Sequence, residues 1–573
     1  MATQRVVIDP ITRIEGHLRI ELETSGGRIT DAWASATQFR GIETILKGRD
    51  PRDAWALAQR ICGVCTGIHA IASVRAVEDA LDYPIPRQAE LIRSLVTAMG
   101  IVQDHVMHFY HLHALDWVDV KSALAADPQA AARLAASVSP WPSNSAAWFR
   151  EVQQRVGASV SGGQLGIFAG SYWGHPAYRL PPEANLLALA HYLEALQWQR
   201  EVIRLHTIFG GKNPHPNFLV GGMACSINLD NQLGINAVRL DELTGLIGRA
   251  RRFVEEVYYP DVLAIAGFYR EYAAIGISSP TLMAVGESAF SCAGTPVAGE
   301  VRAGVLADGN YEELRPFEPA KIAEFVTSSW YAYPEGDKAG RHPWRGETVP
   351  RYTGPRPPYG QISDNVKYTW VKAPRYDGRA VQVGPNARML VACAQGHKDA
   401  TRLVDDALAG LGAGREALNS TLGRTLCRAV ESVLLCNRMD EWFRQFQERI
   451  HAGDTATFNP DKWDPATWPK SAQGVGFTEA ARGTLSHWVE IENGRITRYQ
   501  CVVPSTWNSS GRDASGQPGP FEHALAHRGH HPLLEPGRPL EVLRTIHSFD
   551  PCQSCAVHLL DPAGGTIGTV SVS

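Results

Sequence analysis

The sequence predicts an α+β protein, mainly α: a central bundle of long helices with peripheral β hairpins and extended loops, and the two chain ends meeting at the core. Three observations carry this. Apolar residues step by three or four through several long stretches, and β alternation is confined to short segments near the ends. A Cys-x-x-Cys pair stands near each terminus, Cys62/Cys65 in RICGVCTGIH and Cys552/Cys555 in SFDPCQSCAVH.

Residues 17–23 alternate, Leu18, Ile20 and Leu22 against Arg19, Glu21 and Glu23, and the Ser25-Gly26-Gly27 turn leads into 28–36, which makes a hairpin. From Arg87 to about Val120, Leu91, Leu95, Met99, Val102, Val106 and Phe109 share one face of a long helix. That helix carries His105, His108, His111 and His113, whose irregular spacing suits hydrogen-bonded core residues better than a metal site. Residues 126–157 read as short helices and connections. Pro181 and Pro182 then open a helix running through Leu189, Leu193 and Leu196.

Residues 240–258 are helical by Leu243, Leu246, Ile247, Ala250, Phe253 and Val254. Between 278 and 379 periodicity fades while Gly, Pro and aromatic residues accumulate, which predicts loops and short strands. Helix returns over 397–450, broken near Gly410 to Gly414. Asn493-Gly494 between 488–491 and 495–499 is a strong hairpin signal.

The 573 residues carry a formal charge of -4, which offers no basic field for nucleic acid. No apolar run reaches the roughly 18 residues of a membrane helix. The N-terminus, MATQRVVIDP, passes straight into strand-like sequence and predicts no secretion signal of its own. Ten cysteines in a chain this long are not a disulfide framework. Outside the two pairs, Cys225, Cys292, Cys393, Cys427, Cys436 and Cys501 stand singly and lack iron-sulfur spacing.

Each Cys-x-x-Cys can aim two sulfurs at one ion from a single turn of backbone, and two pairs give a four-thiolate site. A closed zinc site is one reading. Arg60 and His69 beside the first pair, with Asp550 and His558 beside the second, favour a catalytic metal, which needs acids, bases and donors around it.

The motifs go further. With TRIEGHLRIE at Thr12, FRGIE at Phe39, RICGVCTGIH at Arg60, GGKNPHPN at Gly210, GDTATFNPDKWDPATWP at Gly453, ARGTLSHW at Ala481, YQCVVPSTWN at Tyr499 and SFDPCQSCAVH at Ser548, the chain resembles the large subunit of nickel-iron hydrogenases over essentially its full length. The likeness is greatest to the membrane-bound uptake branch.

The resemblance implies reversible heterolytic oxidation of H2 to protons and electrons at a thiolate-bridged nickel-iron centre. Cys62 and Cys552 would be terminal nickel ligands, and Cys65 and Cys555 would bridge to an iron carrying carbon monoxide and cyanide. Glu15 would hydrogen-bond a terminal cysteine and take the first proton. Arg482 would lie above the metals, held by Asp104 and Asp550, and His69 would stand beside the first pair. Ala481 replaces a proline frequent in the family, which bears on the rigidity of that loop. Ser505 would donate to a cyanide.

The resemblance also implies a magnesium ion held by Glu43, the Cys501 carbonyl, His558 and water. A maturation protease would cut after His558, leaving 1–558 as one interlocked domain and removing 559–573. Electrons would pass to an iron-sulfur small subunit, in a heterodimer or a dimer of heterodimers. A membrane cytochrome b would follow, on the periplasmic side of the cytoplasmic membrane reached through the small subunit; otherwise the location is cytoplasmic. The alternatives are a zinc-stapled scaffold, an H2-sensing relative, which would lack the cleavable tail, or a metal-free quinone-reductase subunit, against which all four cysteines argue. Ile68 stands where some oxygen-tolerant relatives carry cysteine.

Overall fold

Strand β1 (Gln4–Ile8) pairs antiparallel with β2 (Leu18–Ser25), and β2 with β3 (Arg28–Ala36). The β2–β3 loop is Gly26-Gly27, with φ of 60° and 73°, the left-handed pair that a tight hairpin turn demands. The computed structural model describes residues 3–164, 166–168, 171–286, 301–356 and 360–553.

The polar face of β2 is largely buried as well. Arg19 and Glu21 are 4% and 0% exposed. Glu21 takes the N–H groups of Ile362 and Ser363 at 2.8 and 3.2 Å, so a distant loop covers the sheet and supplies donors to the carboxylate. Alternation in a short strand reports two chemically different faces, and here both are inside.

The helix Arg87–Met107 packs against Thr421–His451, the longest described helix. Regular α geometry stops at Met107, short of the expected 120, and a π turn His108–His113 follows. His105, still in the α-helix, meets the Glu431 carboxylate at 2.6 Å, and in the wider turn His108 meets the His547 carbonyl at 2.6 Å and His111 the Tyr192 carbonyl at 3.2 Å. Ala237–Phe253 likewise runs on through a π turn, Val254–Tyr258, into Tyr259–Phe268, beyond the expected end at 258. The π turn directly before Pro260 lets the helical path pass a residue that has no N–H to give. The expected break near 410–414 is present. Lys398–Leu411 ends on Gly412, φ 66°, and Thr421–His451 restarts with Ser420 Oγ accepting the Gly423 N–H.

The weakly periodic middle forms two small sheets. One has the order β6-β5-β4-β9, from β4 (Thr281–Gly286), β5 (Arg302–Leu306), β6 (Leu314–Arg315) and β9 (Val381–Gln382). The other pairs β7 (Ile322–Phe325) with β8 (Ala373–Tyr376). The predicted hairpin near Asn493 is part of a three-stranded sheet, β10 (Ser471–Ala480), β11 (Gly483–Glu492) and β12 (Arg495–Val502).

Strand β10 lies directly on the helix Ile68–Leu81. A Cβ at Gly474 would sit 2.2 Å from the Ala76 oxygen, and one at Gly476 would sit 2.0 Å from the Ala72 oxygen. Backbone touches backbone there, which no larger residue permits. Among the described residues no helix is long and apolar enough to cross a membrane.

Candidate metal centre

The 3-10 turn Gln59–Ile61 delivers Cys62 in extended conformation. The Val64 and Cys65 N–H groups donate to its sulfur at 3.3 and 3.2 Å, a local field that favours thiolate. Gly67, at φ 94°, then turns the chain into the helix Ile68–Leu81. From the other end, Leu540–Ser548 leads to Asp550 at φ 58° and to Cys552. Cys552 is fixed on two sides: its N–H donates to Ser505 Oγ at 3.0 Å, and its backbone bridges in parallel to Glu15, with the Gln553 N–H on the Glu15 carbonyl at 2.7 Å.

These anchors bring Cys62 Sγ within 3.3 Å of Cys552 Sγ across 490 positions of sequence. The ligand atoms of Cys62, Cys65 and Cys552 all lie within 4.8 Å of one another and are buried. Cys555 and His558 fall outside the described residues.

Arg482 occupies the tip of the β10–β11 hairpin. Ala480 pairs with Gly483, so Ala481 and Arg482 are the whole loop. A hairpin tip ordinarily meets solvent, yet Ala481 and Arg482 are 2% and 3% exposed. The guanidinium donates to the Asp550 carbonyl at 3.1 Å, to the Asp550 carboxylate at 3.0 Å and to Asp104 at 3.4 Å. Burial alone would lower the Arg482 pKa, but Asp550, Asp104 and the cysteine sulfurs outweigh it and hold the group well above its ordinary value. Burial raises the Asp104 carboxyl, Arg482 opposes, and Asp550 and Cys62 add to the rise, leaving it at about 8. One oxygen of each aspartate, Asp104 Oδ1 and Asp550 Oδ2, is buried without a partner among the described residues, as befits a site that receives a further polar group.

Behind the first cysteine pair, His69 begins a chain of buried polar groups whose other members motif reading did not single out. His69 Nδ1 lies 3.0 Å from His487 Nε2, His487 Nδ1 lies 2.7 Å from the Tyr499 hydroxyl, and that hydroxyl donates to Ser73 at 2.8 Å. With Tyr499 donating onward, each imidazole passes its Nδ1 hydrogen along the chain, and His69 Nε2 is left as an acceptor. Burial lowers the His69 pKa to about 4 against the pull of Cys62, so the ring is neutral at pH 7. The signal was available: His487 lies inside ARGTLSHW and Tyr499 opens YQCVVPSTWN.

Glu43 is buried at the far side of β12. It accepts the Cys501 N–H at 2.8 Å and the Thr348 hydroxyl, with the Lys372 ammonium 4.0 Å away. Glu324 is 3.4 Å from the same lysine. Burial and the nearby Glu43, against Lys372, raise Glu324 to about 7. Two buried carboxylates thus share one ammonium. A small cavity of about 20 Å³, walled by Val64, Cys65, Ile68, Ile71, Gly100 and Asp104 among others, opens beside the thiolates.

The family model for nickel-dependent hydrogenase matches residues 40–558 of this chain. The chain belongs to that family. A second model, described as HoxL-like, matches residues 5–39 of the hydrogenase chain. The uptake hydrogenase large subunit of Bradyrhizobium diazoefficiens is 49% identical, covering 99% of this chain and 97% of the relative. The hydrogenase-1 large chain of Escherichia coli K12 is 44% identical, covering 100% and 98%. The as-isolated oxidised Ni-Fe-Se hydrogenase of D. vulgaris Hildenborough superposes with a TM-score of 0.76 at 32% identity, covering 97% of this chain and 100% of that one. This is a large subunit that oxidises H2 at a nickel-iron centre. Three soft thiolates within bridging distance fit those two metals.

Proposed function

We propose that H2 is split heterolytically beside Cys62, Cys65 and Cys552, with Cys555 completing the set, and that Arg482 with its two aspartates and the Glu15 carboxylate manage the products. What carries the reading is the meeting of the described sulfurs within 4.8 Å of one another, next to a buried arginine clasped by two aspartates. The nickel-iron pair, when bound, supplies the soft Lewis-acid and redox chemistry that polarises H2 and accepts its two electrons. Cys62, Cys65, Cys552 and Cys555 would hold the two metals through their sulfurs, with carbon monoxide and cyanide completing the iron.

Glu15 is the first proton acceptor, a reading supported by its backbone bridge to Cys552. Arg482 orients and polarises. With its pKa held above the ordinary range it does not serve as a base. Ser505 accepts the Cys552 N–H and so keeps its own O–H to give to a cyanide. Glu43, the Cys501 carbonyl and His558 would hold a magnesium ion, which suits such hard donors.

Removal of 559–573 by a maturation protease is supported by the family match, which stops at residue 558. The electrons leave to an iron-sulfur small subunit, since the remaining cysteines stand singly in the sequence, and from there to a membrane cytochrome b at the periplasmic face.

Metal analysis of the purified enzyme is expected to give nickel and iron near one each, with infrared bands from iron-bound carbon monoxide and cyanide. Zinc alone would overturn the assignment. Intact-mass measurement of active enzyme is expected to show a chain ending at His558, and a retained tail would refute the cleavage.

A further inference from the structure

A dense cluster of buried charges lies behind the Arg482 turn. Arg388, from the helix Pro385–Ala394, is 1% exposed. All five of its N–H groups are used. Nε and Nη2 take the two oxygens of Glu431, the second at 2.6 Å. Nη1 takes Glu479 at 2.8 Å and the Ala480 carbonyl at 3.0 Å, and Nη2 reaches the Ala481 carbonyl at 3.4 Å.

The carboxylates are held in turn. Glu479 accepts the Val285 N–H at 2.7 Å and the Thr484 hydroxyl at 3.0 Å, and Glu431 accepts His105 Nε2 at 2.6 Å. The two carbonyls that Arg388 grips belong to the two residues immediately before Arg482. His105 is the chain neighbour of Asp104, so one helix holds the Arg482 side chain directly and the Arg482 backbone through Glu431 and Arg388.

A buried ion pair kept only for stability is often replaceable by apolar packing, and it would have no reason to spend donors on this turn. We infer that Arg388 is a positioning residue for H2 activation: it fixes the Ala481–Arg482 turn so that the Arg482 guanidinium is presented in one geometry to the metal centre. The inference rests on the role proposed above for Arg482. A guanidinium is needed because a lysine ammonium is a single point and cannot span two carboxylates and two carbonyls at once.

The test uses the complete enzyme with its partner subunit and reads H2/D2O isotope exchange, which reports H2 cleavage without onward electron transfer. R388K is expected to keep wild-type nickel and iron content and an unchanged KM for H2 while exchange falls about 10- to 100-fold, the scale of an ångström-sized misplacement. In an R482K background, adding R388K is expected to cost nothing more, because its effect passes through Arg482. Wild-type exchange in R388K, or losses that multiply in the double variant, would overturn the assignment of Arg388 alone. Wild-type exchange in R482K would remove the role of Arg482 and this inference with it. If R388K does not load metal, E479Q decides: it turns the acceptor facing Arg388 into a donor, with an expected exchange loss of about threefold or more at full metal content. Undiminished exchange there also overturns the inference.

Discussion

Gly476→Ala tests whether the strand-on-helix contact fixes the geometry of the metal centre. The added Cβ would lie 2.0 Å from the Ala72 oxygen, 2.6 Å from the Ala76 nitrogen and 2.9 Å from the Arg75 Cβ. A carbon meets an oxygen without repulsion at about 3.3 Å or more, so the strand must retreat by about 1 Å. The obstacles are mostly helix backbone, which has no rotamer to change. Overpacking of this kind costs about 1–3 kcal/mol. The consequence reaches the site because β10 ends at Ala480, two residues before Arg482, while the helix starts three residues after Cys65. A retreating strand therefore carries Arg482 away from the thiolates. The expected outcome is a lower denaturation midpoint and, at full nickel content, a fall in H2 oxidation of up to about 100-fold. Stability and activity both equal to wild type would refute the reasoning, since the strand would then have room that the contact distances deny.

Three further outcomes are expected. Gly248→Ala, in the helix Ala237–Phe253 with nothing within 4 Å of the added Cβ, should stabilise the chain by about 0.5–1 kcal/mol in denaturant unfolding without touching activity. Asp550→Asn keeps the backbone acceptor for Arg482 Nε but removes a charge-assisted bond at 3.0 Å; H2 oxidation should fall more than in Asp104→Asn, whose contact is 3.4 Å, and the reverse order would contradict the geometry. Burial, opposed by Arg512, raises Glu522 from 4.5 to about 7. A carboxyl with a raised folded-state pKa contributes stability that is complete below its unfolded value and lost as pH rises through the folded one. Stability should therefore fall across that interval by up to about 3 kcal/mol from this group. Glu522→Gln should flatten that part of the pH profile, and an unchanged slope would show that Glu522 is not its source.

What could be read in advance depended on how local its cause was. The β2–β3 hairpin, the start at Pro182 and the break near Gly412 rest on neighbours in sequence, and they stand where turn chemistry and capping put them. Strand β10 was not legible, because Gly474 and Gly476 are small for the sake of Ala72, Ala76 and Ala80 on a distant helix. The burial of Glu21 depends on donors from Ile362 and Ser363. In the site, the cysteines and Arg482 were visible as motifs. His487 and Arg388 take their meaning from partners far along the chain, 418 positions away for His69 and 43 and 91 for Glu431 and Glu479, and no spacing rule reaches them.

The bridge between Glu15 and Cys552 has a consequence for the order of manufacture. A ribosome releases the first cysteine pair long before the second exists, so for most of its synthesis the chain owns half a binding site and cannot retain either metal there. Loading must wait until translation is nearly finished, when the segment around Cys552 can dock beside Glu15 and close the ring.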